Sequence, residues 1–384
     1  MKSTITLFDA DTIDQLPWPN TEDGIYARSY LLPFIKCGPT HFIDNIKSQC
    51  MVILIDKQVV LPISVNVQEY DNSYVCSPYS HYVTYAKEEL VLIQQQWLRV
   101  ALSVLIDSFG LFCKLCGINR VVHVNNWLLS TNLYPDLRAE YVTAMIDFLK
   151  ERFPKHTIIF RSLNNYSNTS LLDALKNGGC KFIPSRQVYL VHPNLASLSK
   201  KSRWQLKHDF ALLKQYGYTI GDAQTITNED IPRIVELYNM LYLQKYSFCN
   251  PMFNKDFIKL ALEQQTLHLV AIRKSGQINA ILGYFCRNGI MTPPLFGYDT
   301  TLPQEIGLYR MLSAILFNIA CENGHLLNAS SGAGQFKRNR GAFAAIEYSA
   351  VYDRHLPWYR RLCWIVLATL LVTVGVPLMQ KYKL

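Results

Sequence analysis

Three apolar segments separated by two tight-turn sequences limit most strongly how this chain of 384 residues can fold. The segments are residues 266–273, 277–286 and 290–299, and they are rich in β-branched and aromatic residues. Lys-Ser-Gly (274–276) separates the first two, and Arg-Asn-Gly (287–289) separates the last two. Ser-Gly and Asn-Gly favour β-hairpins because these residues adopt the backbone angles of tight turns. The sequence therefore predicts a three-stranded antiparallel meander in the C-terminal half.

The segments on either side of the meander indicate a second, similar unit in the N-terminal half. In the C-terminal half, helices are predicted before the meander (231–246 and 254–265) and after it (311–323), followed by strands at 325–330 and 344–352. In the N-terminal half, the predicted strands are 50–58, 59–68, 74–77, 119–126, 156–164 and 181–191, and the predicted helices are 87–109 and 170–179. Two units of similar order indicate a tandem duplication.

The predicted fold class is α/β (α+β), with two domains that each have a mixed, mostly antiparallel sheet flanked by helices, plus a C-terminal apolar helix. The predicted divisions of the chain are a first domain at 1–195, a basic linking helix at 196–217, a second domain at 218–358 and the apolar helix at 359–384.

Charge and cysteine content limit the partners and the compartment. Residues 1–190 carry 17 basic and 17 acidic residues, whereas 191–384 carry 21 and 12, so the whole excess of nine positive charges lies in the second half. We expect a partner with negative charge to meet that half. The ten cysteines stand mostly in apolar stretches, which is typical of buried thiols in a reducing cytosol. Cys113 and Cys116 form one CxxC motif without a second pair, and a place in the core is favoured over a metal or redox site.

The two ends of the chain bear on membrane contact. Residues 1–20 have no apolar run after a positive segment, so no signal peptide is expected. Residues 362–379 carry no charge and would span about 27 Å as a helix, close to the bilayer's hydrocarbon core of about 30 Å. Three alternatives remain for this segment: it crosses the membrane, it lies in the membrane interface, or it packs on the protein.

A loop with Gln304 and Gly307 follows the predicted meander and leads into a helix. The free N–H groups and the positive dipole end of a first helical turn attract a pyrophosphate. Gly307 lets the backbone approach the phosphates, and Arg310 adds a positive charge one turn into the helix. A glycine at a helix start also has ordinary packing uses, so the motif alone is weak.

In its position after the meander, this loop resembles the acyl-CoA loop of GNAT-superfamily acyltransferases. The family pattern is Gln/Arg-x-x-Gly-x-Gly/Ala; Gln304 and Gly307 match it, and Tyr309 stands where the family has a small residue. The chain is most similar to the tandem branch, which comprises FemAB-like aminoacyl transferases and CelD-like acetyltransferases. In that branch a glycine-containing loop and an aromatic-Lys pair follow the helix, as in residues 328–337 here. The resemblance covers about residues 25–355 and is strongest over 227–355.

The resemblance implies transfer of an acyl group from a thioester or ester donor to an amine or hydroxyl. A strand N–H near residues 296–298 would polarise the acyl carbonyl. The implied donor-binding residues are Gln304, Gly307, Leu308, Tyr309 and Arg310. The candidates for proton transfer are Tyr298, Asp299, Glu347, Tyr348 and Tyr352. The expected substrate-binding residues are Ser331 and the basic cluster Lys337, Arg338 and Arg340, which would hold a phosphate or an acidic carrier protein.

The sequence thus predicts a cytoplasmic GNAT-type N-acyltransferase, attached to the inner membrane through residues 362–379. The expected co-substrate is acyl-CoA or an acyl carrier protein thioester, and no metal is expected. The acceptor would be a small-molecule or lipid-linked precursor of the cell envelope or of secondary metabolism. A FemAB-like aminoacyl-tRNA-dependent transferase and an inactive membrane scaffold are the alternatives. Sequence-specific nucleic-acid binding is not expected, because no zinc finger, recognition helix or aromatic RNA-binding signature is present.

The first domain is not expected to bind a donor. The loop that we align with the Gln304–Gly307 loop lies between Ser77 and Lys87 and contains no glycine. Its aromatic residues, including Tyr82 and His81, are expected either to line an acceptor cleft or to pack in the protein.

Overall fold

The computed structural model describes residues 3–194 and 198–382. The predicted domain boundary between residues 195 and 196 lies outside the described residues. Within them, the strands β1 to β12 are Ile5–Phe8, Gln49–Ile55, Val59–Asn66, Val121–Val124, Thr157–Leu163, Lys181–Val191, Thr219–Asp222, His268–Lys274, Gln277–Arg287, Ile290–Tyr298, Leu326–Asn328 and Phe343–Tyr352. The α-helices α1 to α12 are Glu22–Cys37, Tyr85–Glu89, Gln96–Leu115, Ala139–Arg152, Thr169–Asn177, Lys200–Tyr216, Ile231–Asn239, Lys255–Glu263, Leu308–Glu322, Gly334–Asn339, Trp358–Leu370 and Val376–Tyr382.

The first compact unit is built on a mixed sheet with strand order β1-β2-β3-β4-β5-β12. Its described residues are 3–185, 247–252 and 347–377. Neighbouring strands are antiparallel except β4 and β5, which are parallel. Successive side chains of a strand point to opposite faces of the sheet. Val122 and Phe160 therefore lie in one core with residues of α4 and α5, whereas Val121 and Ile159 lie in another with residues of α3 and α11.

The second compact unit has the strand order β7-β8-β9-β10-β11-β6. Its described residues are 186–194, 198–246, 253–346 and 378–382. Strands β10 and β11 are parallel, and the other neighbouring pairs are antiparallel. Leu206 of α6 and Leu312 of α9 share a core with Leu282 and Leu327 of the sheet. Helix α7 packs against β9 and β10.

The two units have the same succession of strand pairings, but each takes its last strand from the other half of the chain. Strand β6 follows β5 in sequence, yet Val191 lies opposite Leu327 of β11. Strand β12 follows β11, yet Val351 lies opposite Ile159 of β5. The common order is what a tandem duplication predicts. Because the last strands are exchanged, both units are discontinuous in sequence, unlike the predicted domains at 1–195 and 218–358.

The predicted fold class is confirmed: both units have mixed, mostly antiparallel sheets flanked by helices, and a C-terminal apolar helix is present. The meander is confirmed as β8, β9 and β10.

Two predictions in the N-terminal half are wrong. Residues 74–77 form a buried turn rather than a strand, because Tyr74 N donates to the carbonyl of Cys249 at 2.9 Å and Cys76 N donates back to Ser73 at 3.0 Å. The predicted helix at 87–109 is interrupted, since Ile93 and Gln95 have extended backbones, and the long helix is Gln96–Leu115.

The C-terminal apolar segment begins on the first unit. Helix α11 buries Cys363, Trp364 and Leu367, and the Trp364 Nε1–H donates to Thr157 Oγ1 at 3.2 Å. A π-helical turn, Leu371–Gly375, joins α11 to α12 just before Pro377, where the proline ring removes a backbone donor. In the described part of the chain, Trp358–Lys381 is the one helical segment long and apolar enough to cross a membrane by length and composition.

Candidate functional site

The parallel strands of the second unit separate, and those of the first do not. Strand β10 pairs with β11 at Ile290 and Met291 and at no later residue of the nine-residue strand. In the first unit, β4 and β5 stay paired over four positions, from Val121 to Val124. The separation leaves one edge of residues 292–298 without a neighbouring strand in the described chain. A substrate with an extended arm could lie against that edge.

A bulge reshapes β10 at the start of this open edge. The register between β9 and β10 shifts between Thr292 and Leu295, where Pro293 and Pro294 supply no peptide N–H. Beyond the bulge, Leu295 to Tyr298 pair with β9 again. Alternate peptide groups of such a strand point away from its one partner. They provide backbone N–H donors at residues 296–298, the place where the resemblance to GNAT acyltransferases implies a donor to the acyl carbonyl.

Helix α9 begins next to this edge with Gly307 in a left-handed conformation, at φ +78°. Gln304 is exposed, and its carbonyl accepts from Gly307 N at 3.1 Å, which closes the turn before the helix. A Cβ at Gly307 would strain the left-handed backbone and would lie 2.8 Å from Leu212 Cδ1, so the Leu212 side chain would have to move. The side chain of Leu308 is buried in the core, and its contribution to a donor site is its backbone N–H.

Tyr309 fills space at the position where the GNAT acyl-CoA loop has a small residue. Its ring lies 5.5 Å from Phe296, 6.1 Å from Tyr298 and 4.9 Å from Phe336, measured between ring centroids. Burial raises the pKa of the Tyr309 phenol, so the ring is a neutral, apolar wall. A donor bound here would meet aromatic surface between β10 and α10.

One buried carboxylate joins two of the predicted basic residues. Asp209 of α6 is fully buried; its Oδ1 accepts from Arg310 Nε at 2.7 Å and its Oδ2 from Arg340 Nε at 2.5 Å. Arg340 also lies 3.5 Å from the centroid of the Phe336 ring. Two guanidinium groups and one carboxylate leave one net positive charge beside the first turn of α9. The triad ties α6, α9 and α10 together around the start of the candidate site.

Lys337 holds the glycine-containing loop together. Its Nζ donates to the carbonyls of Ala329 at 2.7 Å, Ser330 at 3.3 Å and Ser331 at 2.8 Å. The loop needs such support because Ser330 and Ala333 have positive φ angles of 60° and 48°. Burial, with a smaller contribution from Arg186, lowers the pKa of Lys337 to about 7.

The lowered pKa of Lys337 predicts how stability depends on pH. Below pH 7 the amine is charged in both states; between about pH 7 and 10.5 the unfolded chain binds a proton that the folded chain does not. The free energy of unfolding should therefore rise by about 2 kcal/mol between pH 7 and 9 through this group. Urea unfolding of the wild type and Lys337→Met at both pH values measures the difference. Equal changes in the two proteins would show that Lys337 does not titrate in this range.

The other predicted substrate-binding residues lie around the same loop. Ser331 is half-buried and takes part through its carbonyl, as described for Lys337. The guanidinium of Arg338 lies 5.5 Å from the centroid of the Tyr189 ring. Arg186 Nη1 donates to Ser330 Oγ at 3.2 Å. Arg338 is thus partly exposed and held on an aromatic face, where its charge could still meet a phosphate.

Of the five proton-transfer candidates, Tyr298 and Asp299 lie in the second unit at the end of β10. Tyr352 ends β12 in the first unit, where its ring stacks on that of His355 with 5.7 Å between the centroids. Tyr298 OH accepts from Lys245 Nζ at 3.1 Å. Asp299 accepts from Arg233 Nη2 at 2.5 Å and from Thr301 N at 3.0 Å. Burial acts to raise the pKa of Asp299, but the bonds from Thr301 and Arg233 outweigh it and hold the pKa below its ordinary value. Asp299 is thus a weak base, and Tyr298 is the better placed of the two.

Glu347 and Tyr348 belong to the part of β12 that lies in the first unit. Glu347 is buried, with 1% of its surface exposed. Burial raises the pKa of Tyr82 to about 12; the charge of Glu347 adds to this increase, whereas Arg161 opposes it. Tyr348 points to the other face of the strand, where its ring packs edge-on against Phe182 at 6.5 Å. The structure thus places these two candidates on opposite faces of β12, and it assigns them to a different unit from Tyr298.

The alignment of the two units corrects one sequence interpretation. The counterpart of the Gln304–Gly307 loop precedes α4, at residues 125–138, and is not the segment between Ser77 and Lys87. It too contains no glycine, and it is filled by its own side chains: Trp127 is fully buried and its Nε1–H donates to Asn125 Oδ1 at 2.8 Å. The parallel strands of the first unit are paired and this loop is filled, so the described residues of that unit leave no comparable open strand edge.

Sequence reasoning missed Asp209. The basic residues of α6, including Lys207 and Lys214, are exposed as expected for a solvated face. Asp209 stands on the opposite face with Leu206 and Leu213, at the spacing of one helix side. The sequence did offer a signal: α6 is otherwise basic, and Asp209 is an acid on its apolar face, where a buried partner is expected.

Comparisons with known proteins give similar folds at low sequence identity. No family model matches the sequence, and no curated protein matches it. Similar solved structures include L-PGS from Bacillus licheniformis, with 17% identity and a TM-score of 0.45, covering 58% of this chain and 76% of that chain. FemX has 10% identity and a TM-score of 0.42, covering 57% and 78%. A GCN5-related N-acetyltransferase from Kribbella flavida has 15% identity and a TM-score of 0.33, covering 62% and 83%. Similarity at this level carries no argument about activity.

Proposed function

We propose that this chain is a GNAT-type acyltransferase that moves an acyl group from a thioester donor to an amine or hydroxyl acceptor. The observation that carries the proposal is the separation of β10 from β11 directly beside the start of α9 at Gly307. This arrangement offers backbone donors for two parts of an acyl donor: first-turn N–H groups for phosphates, and strand N–H groups for the carbonyl.

Different residues are proposed to bind the donor and to transfer the proton. The N–H groups at the start of α9 and the net positive charge of the Arg310–Asp209–Arg340 triad favour a phosphate-bearing donor. An acceptor amine or hydroxyl attacks the acyl carbon, the C–S bond breaks, and the thiolate takes a proton. Tyr298 supplies that proton, since its hydroxyl lies at the end of β10 beside Lys245. The acceptor's own proton leaves to solvent or to a basic side chain.

Acyl-CoA and acyl carrier protein thioesters are the proposed donors, and both carry a phosphopantetheine phosphate. The proposed acceptor is a small-molecule or lipid-linked precursor of the cell envelope or of secondary metabolism. We place the protein in the cytoplasm. We place it against the inner membrane face because Trp358–Lys381 is long and apolar enough to enter a bilayer.

Aminoacyl transfer from tRNA is the second candidate. The exposed basic face of α6, with Lys200, Lys201, Arg203, Lys207 and Lys214, favours it, since such a face attracts the phosphates of a nucleic acid.

Titration of the purified full-length chain with four donors tests the proposal. The donors are acetyl-CoA, a long-chain acyl-CoA, an acyl carrier protein thioester and an aminoacyl-tRNA. We expect saturable binding of at least one thioester and none of the deacylated, dephosphorylated pantetheine control. Binding of aminoacyl-tRNA alone would favour the second candidate, and binding of no donor would favour an inactive scaffold.

A further inference from the structure

Helix α3 is apolar on the side that faces away from the protein. Of its 20 residues, Gly110 and Cys113 are buried. The exposed apolar residues of α3 are 53% to 76% accessible and comprise Trp97, Val100, Val104, Leu105, Leu111 and Leu115. All but Leu105 lie within about 60° of one another around the helix, at about 100° per residue. Gly110 and Cys113 face the opposite side, so the stripe points out of the first unit.

Helix α11 has a second stripe of the same kind. Trp358, Leu362 and Ile365 are 73%, 37% and 45% exposed, and they lie opposite the buried Cys363 and Leu367. Residues of α3 and α11 meet in one core cluster of the first unit, which includes Cys113, Cys116, Cys363 and Trp364. The two helices are therefore neighbours that each present an outward apolar stripe. An exposed apolar surface of this extent marks an interaction site.

We propose that α3 and α11 together form a docking face for an anionic lipid surface, and that the C-terminal helix lies in the membrane interface rather than across the bilayer. The docking face is defined as Trp97, Val100, Val104, Leu111 and Leu115 of α3 with Trp358, Leu362 and Ile365 of α11. The proposal deepens the membrane attachment included in the proposed function.

Charge on these helices favours lipid over a protein partner. Lys114 of α3 is exposed beside the stripe, and the one acid of this helix, Asp107, pairs with Lys87 at 2.6 Å. Residues 358–382 contain no acid, and Arg361 is partly exposed. Basic residues beside an apolar stripe are attracted to anionic headgroups. Tryptophans at the helix starts suit the interface, where aromatic rings gather.

The packing of α11 excludes a full crossing. Arg360 Nη1 donates to the carbonyl of Lys155 at 2.9 Å and Nη2 to that of Gly117 at 3.0 Å, and burial of Leu367 continues this attachment. Between Leu367 and Gln380, the twelve uncharged residues 368–379 span about 18 Å as a helix, against about 30 Å of hydrocarbon. A helix held on the first unit and this short beyond it can enter the interface but cannot cross.

Vesicle flotation of the full-length chain tests the docking face. The vesicles are phosphatidylcholine with and without phosphatidylglycerol, and the test variant is Val104→Glu with Leu111→Glu. A matched control replaces two exposed residues outside this face, Ile25 of α1 and Tyr166 before α5, with glutamate. We expect binding to the phosphatidylglycerol vesicles by wild type and control, and at least about tenfold weaker binding by the α3 variant.

Three further measurements distinguish the docking face from a spanning helix and from a dimer interface. A tag added after Leu384 should stay open to protease outside preformed vesicles; a protected tag would show a spanning helix and overturn the in-plane orientation. Wild-type-like flotation of the α3 variant would overturn the docking face. A wild-type dimer that the variant dissociates, without vesicle binding, would assign the face to a second copy instead. Donor titration of wild type and α3 variant is repeated in detergent. Equal donor affinity in the two proteins would show that a loss of vesicle binding does not come from a damaged donor site.

Discussion

Replacement of Asp209 with alanine is expected to lower the free energy of unfolding by about 3 to 5 kcal/mol. The carboxylate is fully buried between Arg310 and Arg340, and the Arg340 side chain is itself only 6% exposed. Without Asp209, the Arg340 guanidinium would stay buried with no opposing charge, and burial of an unpaired charge is strongly unfavourable. The loss should also loosen the start of α9, because Arg310 would lose its anchor on α6.

Urea unfolding measures this effect, with Asp14→Ala as the matched control. Asp14 pairs with Lys36 at 2.6 Å, but its side chain is 70% exposed. An exposed pair contributes little, so the control should change the free energy of unfolding by less than about 1 kcal/mol. Similar small losses in both variants would show that the triad is not a buried, interdependent unit.

Truncation of Trp364 to alanine should destabilise the first unit by about 3 to 5 kcal/mol. Trp364 is 1% exposed in the cluster that joins α3 and α11, and its Nε1–H bonds to Thr157 of β5. Loss of the ring leaves a cavity and removes the donor to Thr157.

Trp358→Ala is the matched control, because Trp358 starts the same helix but is 73% exposed. In the absence of lipid, it should change the free energy of unfolding by less than about 0.5 kcal/mol. Denaturation of both variants in the same buffer makes the comparison. If Trp364→Ala were as stable as Trp358→Ala, α11 would not be packed on the first unit and the in-plane orientation would lose its support.

Local patterns in the sequence predicted much of the fold because turns and strands depend mainly on residues that are close together in the chain. The Ser-Gly and Asn-Gly turns fixed the meander, and apolar runs located β6 and the strands around it. The break before α3 was missed because residues 87–95 are compatible with helix locally, and the chain becomes extended only at Ile93 and Gln95.

Long-range pairings were not accessible to the same reasoning. That β12 pairs with β5, and β6 with β11, depends on contacts between residues far apart in sequence. The same limit applies to the site: Gln304 and Gly307 were found from their spacing, but Asp209 acts on Arg310 from about a hundred residues away. It also explains why Glu347 was grouped with Tyr298, since a strand's neighbours cannot be inferred from its own residues.

The most direct test of the central claim compares donor binding by Gly307→Ala and Gly276→Ala. Both glycines have left-handed backbones, at φ +78° and +83°, but a Cβ at Gly276 would meet nothing within 4 Å. The two variants carry similar backbone strain, and only one alters the start of α9. With the thioester that the wild type binds, calorimetric titration should give wild-type affinity for Gly276→Ala and at least about tenfold weaker binding for Gly307→Ala. Equal affinities in both variants would contradict an acyl-donor site at the start of α9.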